Sequence, residues 1–217
     1  MDSKQIQKIS QDKLKFDNSI NIHRLKAILK ILKNKNGRLL DIGCSDGRYI
    51  VNFIKKGFIC DGIDISDKAI ALGKKRGLNL KKIDITKKIK ISDESYEIIV
   101  CAQVLEHLID PFFTLKEMYR ILKKNGTIII TVPNIGMIRN IFLILLGKPP
   151  AYSCVFDGFH FRDYCEKEII RMLEKANFND IKVHGDKLNI PYWKGKLITL
   201  NPVISRYCDN LVVEARK

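Results

Sequence analysis

The stretch that decides the fold is Leu39-Leu40-Asp41-Ile42-Gly43-Cys44-Ser45-Asp46-Gly47. It opens with apolar residues, as a buried strand does, and its two glycines stand four residues apart, as in a tight turn into a helix. Glycine permits left-handed backbone conformations and lets the chain pass close to a ligand. The stretch therefore predicts a strand, a ligand-binding turn and a helix.

A second apolar run, Phe58 to Asp64, ends on a carboxylate about twenty residues after the first strand. In a doubly wound sheet, an acid at that place accepts the ribose hydroxyls of a nucleoside lying over the first turn. The turn lacks the Gly-x-Gly-x-x-Gly pattern of dinucleotide folds. Asp41 and Asp46 would repel a pyrophosphate but could receive a cationic nucleoside that bears an amino acid. These features point to S-adenosyl-L-methionine (SAM).

The motifs resemble those of the class I SAM-dependent methyltransferases, whose first motif reads Asp-x-Gly-x-Gly-x-Gly. Ser45 stands where that family usually has its middle glycine. The resemblance continues with Lys82–Ile85 after the third strand and Tyr96–Cys101 as the fourth. The segment Val104–Pro111 is similar to the ubiquinone-biosynthesis and MetW-like branches. The resemblance implies that SAM is the cofactor.

The resemblance also implies the fold, a single α/β domain over residues 1–217. Its sheet is expected to be Rossmann-like, doubly wound and seven-stranded, mostly parallel with an antiparallel last strand, with helices on both faces. Residues 1–36 are predicted to form an N-terminal helical segment, because apolar residues recur at helical spacing from Leu25 to Leu32. Residues 135–164 interrupt the alternation of strands and helices, and we predict that they form a lid over the acceptor site.

The predicted cofactor contacts share one location, the carboxyl ends of the first four strands, where open α/β sheets bind their ligands. They are Asp41, Gly43, Cys44, Ser45, Gly47, Asp64, Ile65, Asp84, Ile85 and Gln103.

Two histidines are the predicted catalytic residues. His107 follows the fourth strand, and an imidazole can take the proton of a hydroxyl acceptor near neutral pH. His160 lies in the predicted lid, where it either contacts the acceptor or pins the lid. The alternative for His107 is purely structural, with Glu106 and His107 starting a helix. The favoured reaction is O-methylation of a small molecule or a glycan precursor.

A metal site is the alternative that the resemblance raises for the same residues. Some ubiquinone and small-RNA methyltransferases bind a divalent cation through Glu-x-x-Glu-His and a later histidine. Here the motif begins with Gln103, and an amide is a poorer ligand than a carboxylate for a hard cation. We therefore predict no metal.

Charge and apolar patterning leave further partners open. The 217 residues carry a net charge of +15, which would suit RNA, but the lysines are spread along the whole chain. An RNA 2′-O-methyltransferase is thus an alternative that we do not favour. The stretch Gly136–Leu146 fits either a helix lying on a membrane surface or a lid helix over an apolar acceptor. A MetW-like protein that binds SAM and assists a partner enzyme is a further alternative.

Cysteine usage and the amino terminus predict a cytoplasmic location. The six cysteines include no Cys-x-x-Cys pair and are predicted to be reduced thiols. The first residues are polar, unlike a signal peptide. The longest apolar run, residues 141–146, is too short to span a bilayer. We therefore expect a soluble protein.

Overall fold

The computed structural model describes residues 21–151, 160–191, 197–200 and 204–217. Residues 1–20 of the predicted N-terminal segment lie outside these ranges, as do residues 152–159 of the predicted lid, which include Cys154.

Strands and helices alternate in the first part of the chain, as the sequence predicts. These elements are α1 (Ile22–Ile31, extended by a 3₁₀ turn over Leu32–Asn34), β1 (Arg38–Ile42), α2 (Arg48–Ile54), β2 (Ile59–Asp64), α3 (Asp67–Lys75) and β3 (Leu80–Lys82).

The second part continues the alternation and then adds a small antiparallel pair, β7 with β8, that the sequence analysis did not predict. The elements are β4 (Tyr96–Ala102), a 3₁₀ turn (Leu105–His107), α4 (Pro111–Ile121), β5 (Leu122–Pro133), α5 (Ile138–Leu145), α6 (Glu166–Lys175), β6 (Asn179–Gly185), β7 (Leu188–Pro191), β8 (Leu197–Leu200), a 3₁₀ turn (Ser205–Tyr207) and β9 (Asn210–Arg216).

The main sheet has seven strands in the order β3-β2-β1-β4-β5-β9-β6. The first five strands of that order run parallel to one another. Strand β9 lies between β5 and β6 and is antiparallel to both. The predicted sheet, mostly parallel with an antiparallel last strand, is therefore confirmed.

The side chains of neighbouring residues in the central strands pack into two separate apolar cores, one on each face of the sheet. Leu39 of β1 packs in one core with Ile28 of α1 and Phe53 of α2. Leu40 packs in the other core with Leu115 of α4 and Leu173 of α6. Strand side chains alternate between faces, so both faces of a buried parallel strand must be apolar. Helices therefore cover both faces, as predicted.

Capping residues that are recognisable in the sequence determine where α3 and α4 begin. The Ser66 hydroxyl accepts a hydrogen bond from the Ala69 amide and caps α3. The Asp110 carboxylate accepts one from the Phe113 amide and caps α4, with Pro111 in the first turn.

None of the helices in the described part of the chain combines the length and the hydropathy that crossing a membrane requires. Cys44, Cys60, Cys101, Cys165 and Cys208, the cysteines within that part, are free thiols. The cytoplasmic location stays a prediction.

Candidate active site

The turn between β1 and α2 is built around two glycines that cannot be replaced without a clash. Gly43 has φ +71°, and a Cβ atom there would lie 2.3 Å from Cγ2 of Val104. Gly47 has φ +76°, and its Cβ would lie 2.4 Å from Cδ1 of Leu78. Both positions therefore need glycine for two reasons, the left-handed backbone and the close packing.

Asp64, at the end of β2, is hydrogen-bonded to this turn. One carboxylate oxygen accepts the Ser45 amide at 2.8 Å, and the other accepts the Ser66 amide at 2.8 Å. The side chain is buried, and burial raises its pKa, while backbone hydrogen bonds from Ser66, Ser45 and Ile65 oppose that rise. The carboxylate is thus held rigidly beside the turn, as a ribose-binding acid should be.

Ser45 adopts φ +50°, in the left-handed region that glycine prefers. This conformation explains why the related motif usually has glycine here. A serine can adopt it at a cost on the order of 1 kcal/mol. The Ser45 amide still reaches Asp64, so the replacement preserves the contact that orders the turn.

Asp41 is an acid buried inside the same corner. Burial raises its pKa to about 8, and the nearby Asp64 charge adds to that rise. Cys44 is also buried, and a Cβ on Gly62 would approach its sulfur to 2.7 Å. A cationic ligand beside Asp41 would favour its ionised form.

The structure gives Asp46 a different role from Asp41. Its carboxylate forms ion pairs with Arg48 at 2.9 Å and with Arg76 at 2.8 Å. Two guanidinium groups therefore balance its charge, and Asp41 is left as the acid suited to a cationic ligand.

The segment after β3 lies at the next strand end. One Asp84 oxygen accepts the Thr86 amide at 3.1 Å and the Thr86 hydroxyl at 2.6 Å. The Ile85 carbonyl accepts the Thr114 hydroxyl of α4 at 3.1 Å. These bonds fix the segment that is predicted to flank the adenine.

Gln103 follows β4 in a left-handed conformation, with φ +57°. Its amide donates to the Thr131 carbonyl at 2.8 Å, and its side-chain nitrogen donates to the Thr131 hydroxyl at 3.3 Å. These two hydrogen bonds to Thr131 of β5 therefore hold the sharp turn of the chain at the end of β4. Strained non-glycine residues of this kind are common at active sites.

His107 and His160 lie side by side although their positions are 53 apart in the sequence. Their ring centroids lie 4.9 Å apart. The Phe161 amide donates to the Glu106 carbonyl at 2.8 Å, and the Tyr164 hydroxyl donates to the Leu105 carbonyl at 3.2 Å. The segment after residue 159 is thereby bound to the 3₁₀ turn that follows β4.

Glu106 completes this cluster. Potential ligand atoms of Glu106, His107 and His160 all lie within 4.8 Å of one another. Glu106 is 1% exposed, and within the described ranges neither of its carboxylate oxygens has a hydrogen-bond partner. Burial raises its pKa to about 8. A buried carboxyl without a partner is costly, so it requires an explanation in terms of a bound group or proton.

Arg24 of α1 is a charged residue at this edge that the sequence analysis missed. Its Nη2 lies 3.5 Å from Oδ1 of Asn210, and its buried Nε has no hydrogen-bond partner among the described residues. Its charge partly opposes the rise in the pKa of Glu106. In the sequence it is one of many basic residues on the polar face of a helix, and nothing there distinguishes it.

The structure thus places all ten predicted cofactor residues along one edge of the sheet, at or just beyond the carboxyl ends of β1 to β4. The predicted catalytic pair joins the same edge through Val104, which packs against Gly43.

Comparison with known proteins identifies the family. Residues 15–183 match the model of a family described as "Methyltransferase domain". The ubiquinone biosynthesis O-methyltransferase of Vibrio campbellii is 23% identical over 197 residues, which cover 85% of this chain and 83% of the relative. The corresponding enzyme of Pasteurella multocida is 24% identical over 207 residues, covering 86% and 85%.

Solved structures share the fold. A SAM-dependent methyltransferase from Thermotoga maritima aligns with a TM-score of 0.69 and 22% identity, covering 90% of this chain and 88% of that one. A SAM-dependent methyltransferase from Archaeoglobus fulgidus aligns with a TM-score of 0.68 and 20% identity, covering 89% and 91%. The sheet order, the glycine turn and the family match agree, and the chain belongs to the methyltransferase domain family as a class I enzyme that uses SAM.

Proposed function

We propose that this methyltransferase transfers the methyl group to a hydroxyl oxygen of a small molecule or a glycan precursor. The observation that supports this is the pairing of His107 with His160 in a segment that packs directly on the cofactor turn. An imidazole at that place suits an acceptor that must lose a proton. The names of the curated relatives, which are O-methyltransferases, also support the proposal.

The cofactor-binding part of the proposal assigns one chemical group to each strand end. Asp64 would accept the ribose hydroxyls, and the Asp84–Ile85 segment would flank the adenine. Asp41 would face the positively charged methionine moiety. Arg24 would bind the cofactor's carboxylate, because its buried Nε has no hydrogen-bond partner among the described residues and a guanidinium suits an anionic ligand.

His107 would act as the general base. SAM supplies a methyl carbon that its sulfonium has already activated, so the protein must mainly align the acceptor and remove its proton. The acceptor oxygen forms a bond to that carbon, the carbon–sulfur bond breaks with its electron pair kept by sulfur, and the hydroxyl proton passes to the His107 imidazole. His160 would orient the acceptor or the His107 ring.

The same cluster also suggests an alternative, in which Glu106, His107 and His160 bind a divalent cation. The Glu106 carboxylate is buried and has no hydrogen-bond partner in the described part of the chain, and its ligand atoms lie within 4.8 Å of those of two imidazoles. This set fits a cation such as zinc or manganese. Glu106, His107 and His160 would hold it, and it would supply Lewis-acid polarisation of the acceptor oxygen. Metal analysis of the purified protein, together with activity measured with and without chelator, distinguishes this alternative from a metal-free base.

The experiment that tests the function is an acceptor screen with SAM, using hydroxylated metabolites and sugars and following S-adenosylhomocysteine. For an accepted substrate, we expect His107→Ala to lower kcat about 100-fold or more while SAM affinity is unchanged. His184→Ala is the matched control, because the His184 side chain is exposed on the edge strand β6 and lies outside the predicted site.

Two other outcomes would contradict this proposal. Loss of a protein complex in the His107 variant, with no turnover of any acceptor, would indicate a SAM-binding partner protein of the MetW-like kind. Methylation of RNA, with binding that weakens steeply as salt rises, would indicate a nucleic-acid substrate.

A further inference from the structure

Helix α5 presents apolar side chains to solvent instead of to the core. Phe142 is 48% exposed, Ile144 56%, Leu145 76% and Leu146 69%, and Ile141 is also exposed. Single exposed apolar residues are ordinary in proteins, but a contiguous group of them marks an interaction surface.

Polar contacts hold the helix in this orientation. The Asn140 side chain is 1% exposed and donates to the Ile135 carbonyl at 3.0 Å. Its oxygen accepts the Ala151 amide at 2.8 Å. The buried side of α5 is thus anchored by an asparagine, while leucine, isoleucine and phenylalanine point outward. Such an arrangement is the reverse of an ordinary helix packed on a core.

The exposed surface extends to the 3₁₀ turn that precedes β9. Ile204 is 51% exposed and Tyr207 is 37% exposed. This turn lies beside the start of α5, because the Asn134 side chain donates to the Arg206 carbonyl at 2.8 Å. We call the set of Ile141, Phe142, Ile144, Leu145, Leu146, Ile204 and Tyr207 the α5 face.

Exposed basic side chains lie at the margins of the α5 face, although the half-buried Glu166 carboxylate accepts the Ser205 hydroxyl beside it. Arg139, Lys148 and Arg206 are exposed at or near its margins. The sequence from residue 135 to residue 156 contains neither aspartate nor glutamate, and the whole chain carries a net charge of +15. A second copy of the chain would bring the same positive charge to the contact and be repelled. An anionic lipid surface offers both an apolar interior and the opposite charge.

We propose that the α5 face docks on an anionic membrane surface, with Leu145 and Leu146 entering the acyl region and Arg139 and Lys148 contacting the headgroups. Helix α5 follows β5 at the edge of the sheet that carries the candidate active site. Docking would therefore place the site close to the lipid headgroups.

Vesicle flotation of the full chain tests this proposal, without cofactor or acceptor, so its outcome does not depend on methyl transfer. The probes are vesicles of phosphatidylcholine alone and of phosphatidylcholine with about one-third phosphatidylglycerol. We expect binding to the anionic vesicles, weakened on the order of tenfold or more in the double variant Leu145→Gln, Leu146→Gln. Ile54→Gln with Ile59→Gln is the matched control, since it removes exposed apolar side chains elsewhere.

A second pair of variants separates charge from apolar contact. Arg139→Gln with Lys148→Gln should weaken binding to anionic vesicles on the order of tenfold. Lys55→Gln with Lys56→Gln removes the same charge from an exposed turn far from α5 and should retain binding. All four variants are checked by circular dichroism for retained folding. Equal binding of the α5 variants and their controls would overturn the proposal. So would failure of the wild type to bind, or a dimer that Leu145→Gln, Leu146→Gln dissolves.

Discussion

Gly43 and Val104 leave no space for a side chain between them, since a Cβ on Gly43 would lie 2.3 Å from the Val104 Cγ2 atom. The contact joins the turn after β1 to the segment after β4. This contact therefore helps to position the predicted cofactor turn relative to the predicted catalytic segment, and substitutions on its two sides test it.

Gly43→Ala should destabilise the protein by about 2 to 4 kcal/mol, because it adds left-handed backbone strain to a clash. Adding Val104→Ala should restore part of that loss, since it removes the clash but leaves the strain. Denaturant unfolding of the single and double variants measures the loss of stability that each causes, and so separates the clash from the backbone strain.

Gly57→Ala is the control for strain alone. Gly57 has φ +91° and no atom within 4 Å of the added Cβ, so we expect a loss of about 1 kcal/mol. If Gly43→Ala cost no more than Gly57→Ala, the packing argument would be wrong.

Asp64→Asn should raise the dissociation constant for SAM about tenfold to a hundredfold, because a neutral amide is a weaker acceptor for ribose hydroxyls. Calorimetric titration measures the change. Asp61→Asn is the control on the same strand, since Asp61 bonds with Arg38 and Tyr96 instead of the turn. Equal effects of the two variants would exclude Asp64 from the proposed role.

Arg24→Ala should weaken SAM binding about tenfold or more if its guanidinium binds the carboxylate of the cofactor. Binding of 5′-methylthioadenosine, which lacks that carboxylate, should be unchanged in the same variant. Lys30→Ala, at the exposed far end of α1, is the control. Equal weakening of both ligands would show that Arg24 acts on the fold of the site instead.

Glu106→Gln should stabilise the protein at alkaline pH. The pKa of Glu106 is raised from 4.5 to about 8 in the folded state. The folded protein therefore keeps a proton that the unfolded chain releases, and the free energy of unfolding falls as pH rises through this window. The variant lacks this loss, which amounts to at most about 1.4 kcal/mol per pH unit. We expect it to match the wild type near pH 4 and to exceed it by up to about 4 kcal/mol at pH 8.

Urea unfolding across this pH range in the presence of chelator measures the effect. Glu117→Gln is the contrasting control, because hydrogen bonding to Arg120 lowers the pKa of Glu117. That carboxylate stabilises the fold above its unfolded-state pKa, and its removal should therefore be destabilising at neutral pH. A wild-type stability that did not fall between pH 5 and pH 8 relative to Glu106→Gln would contradict the buried-acid interpretation.

Elements marked by strong local signals were predictable from the sequence. An amphipathic stripe marks α6 (Glu166–Lys175) and an apolar run marks β9 (Asn210–Arg216), and such patterns leave few alternatives. The glycine turn and Asp64 were predictable because their spacing reflects a backbone requirement.

Features that depend on tertiary contacts were not predictable. Strand β5 begins at Leu122, ahead of the β-branched run Thr127–Val132 that marks a strand in the sequence, because Leu122 pairs with Tyr96. The small β7–β8 pair and the contact of Arg24 with Asn210 likewise rest on pairings between distant segments. The outward direction of the apolar residues on α5 is set by Asn140, and periodicity alone cannot show which side of a helix faces the solvent.

The placement of β9 between β5 and β6 has a consequence for folding during synthesis. Strand β6 is made before β9, yet β9 is its neighbour in the sheet, so β6 lacks a pairing strand until residues 210–216 leave the ribosome. The Asn134 side chain, which donates to the Arg206 and Cys208 carbonyls, also waits for that segment. Parallel strands β1 to β5 can assemble earlier, whereas the β9 and β6 part of the sheet forms last. A nascent chain stalled before residue 204 would accordingly expose the β5 edge to aggregation.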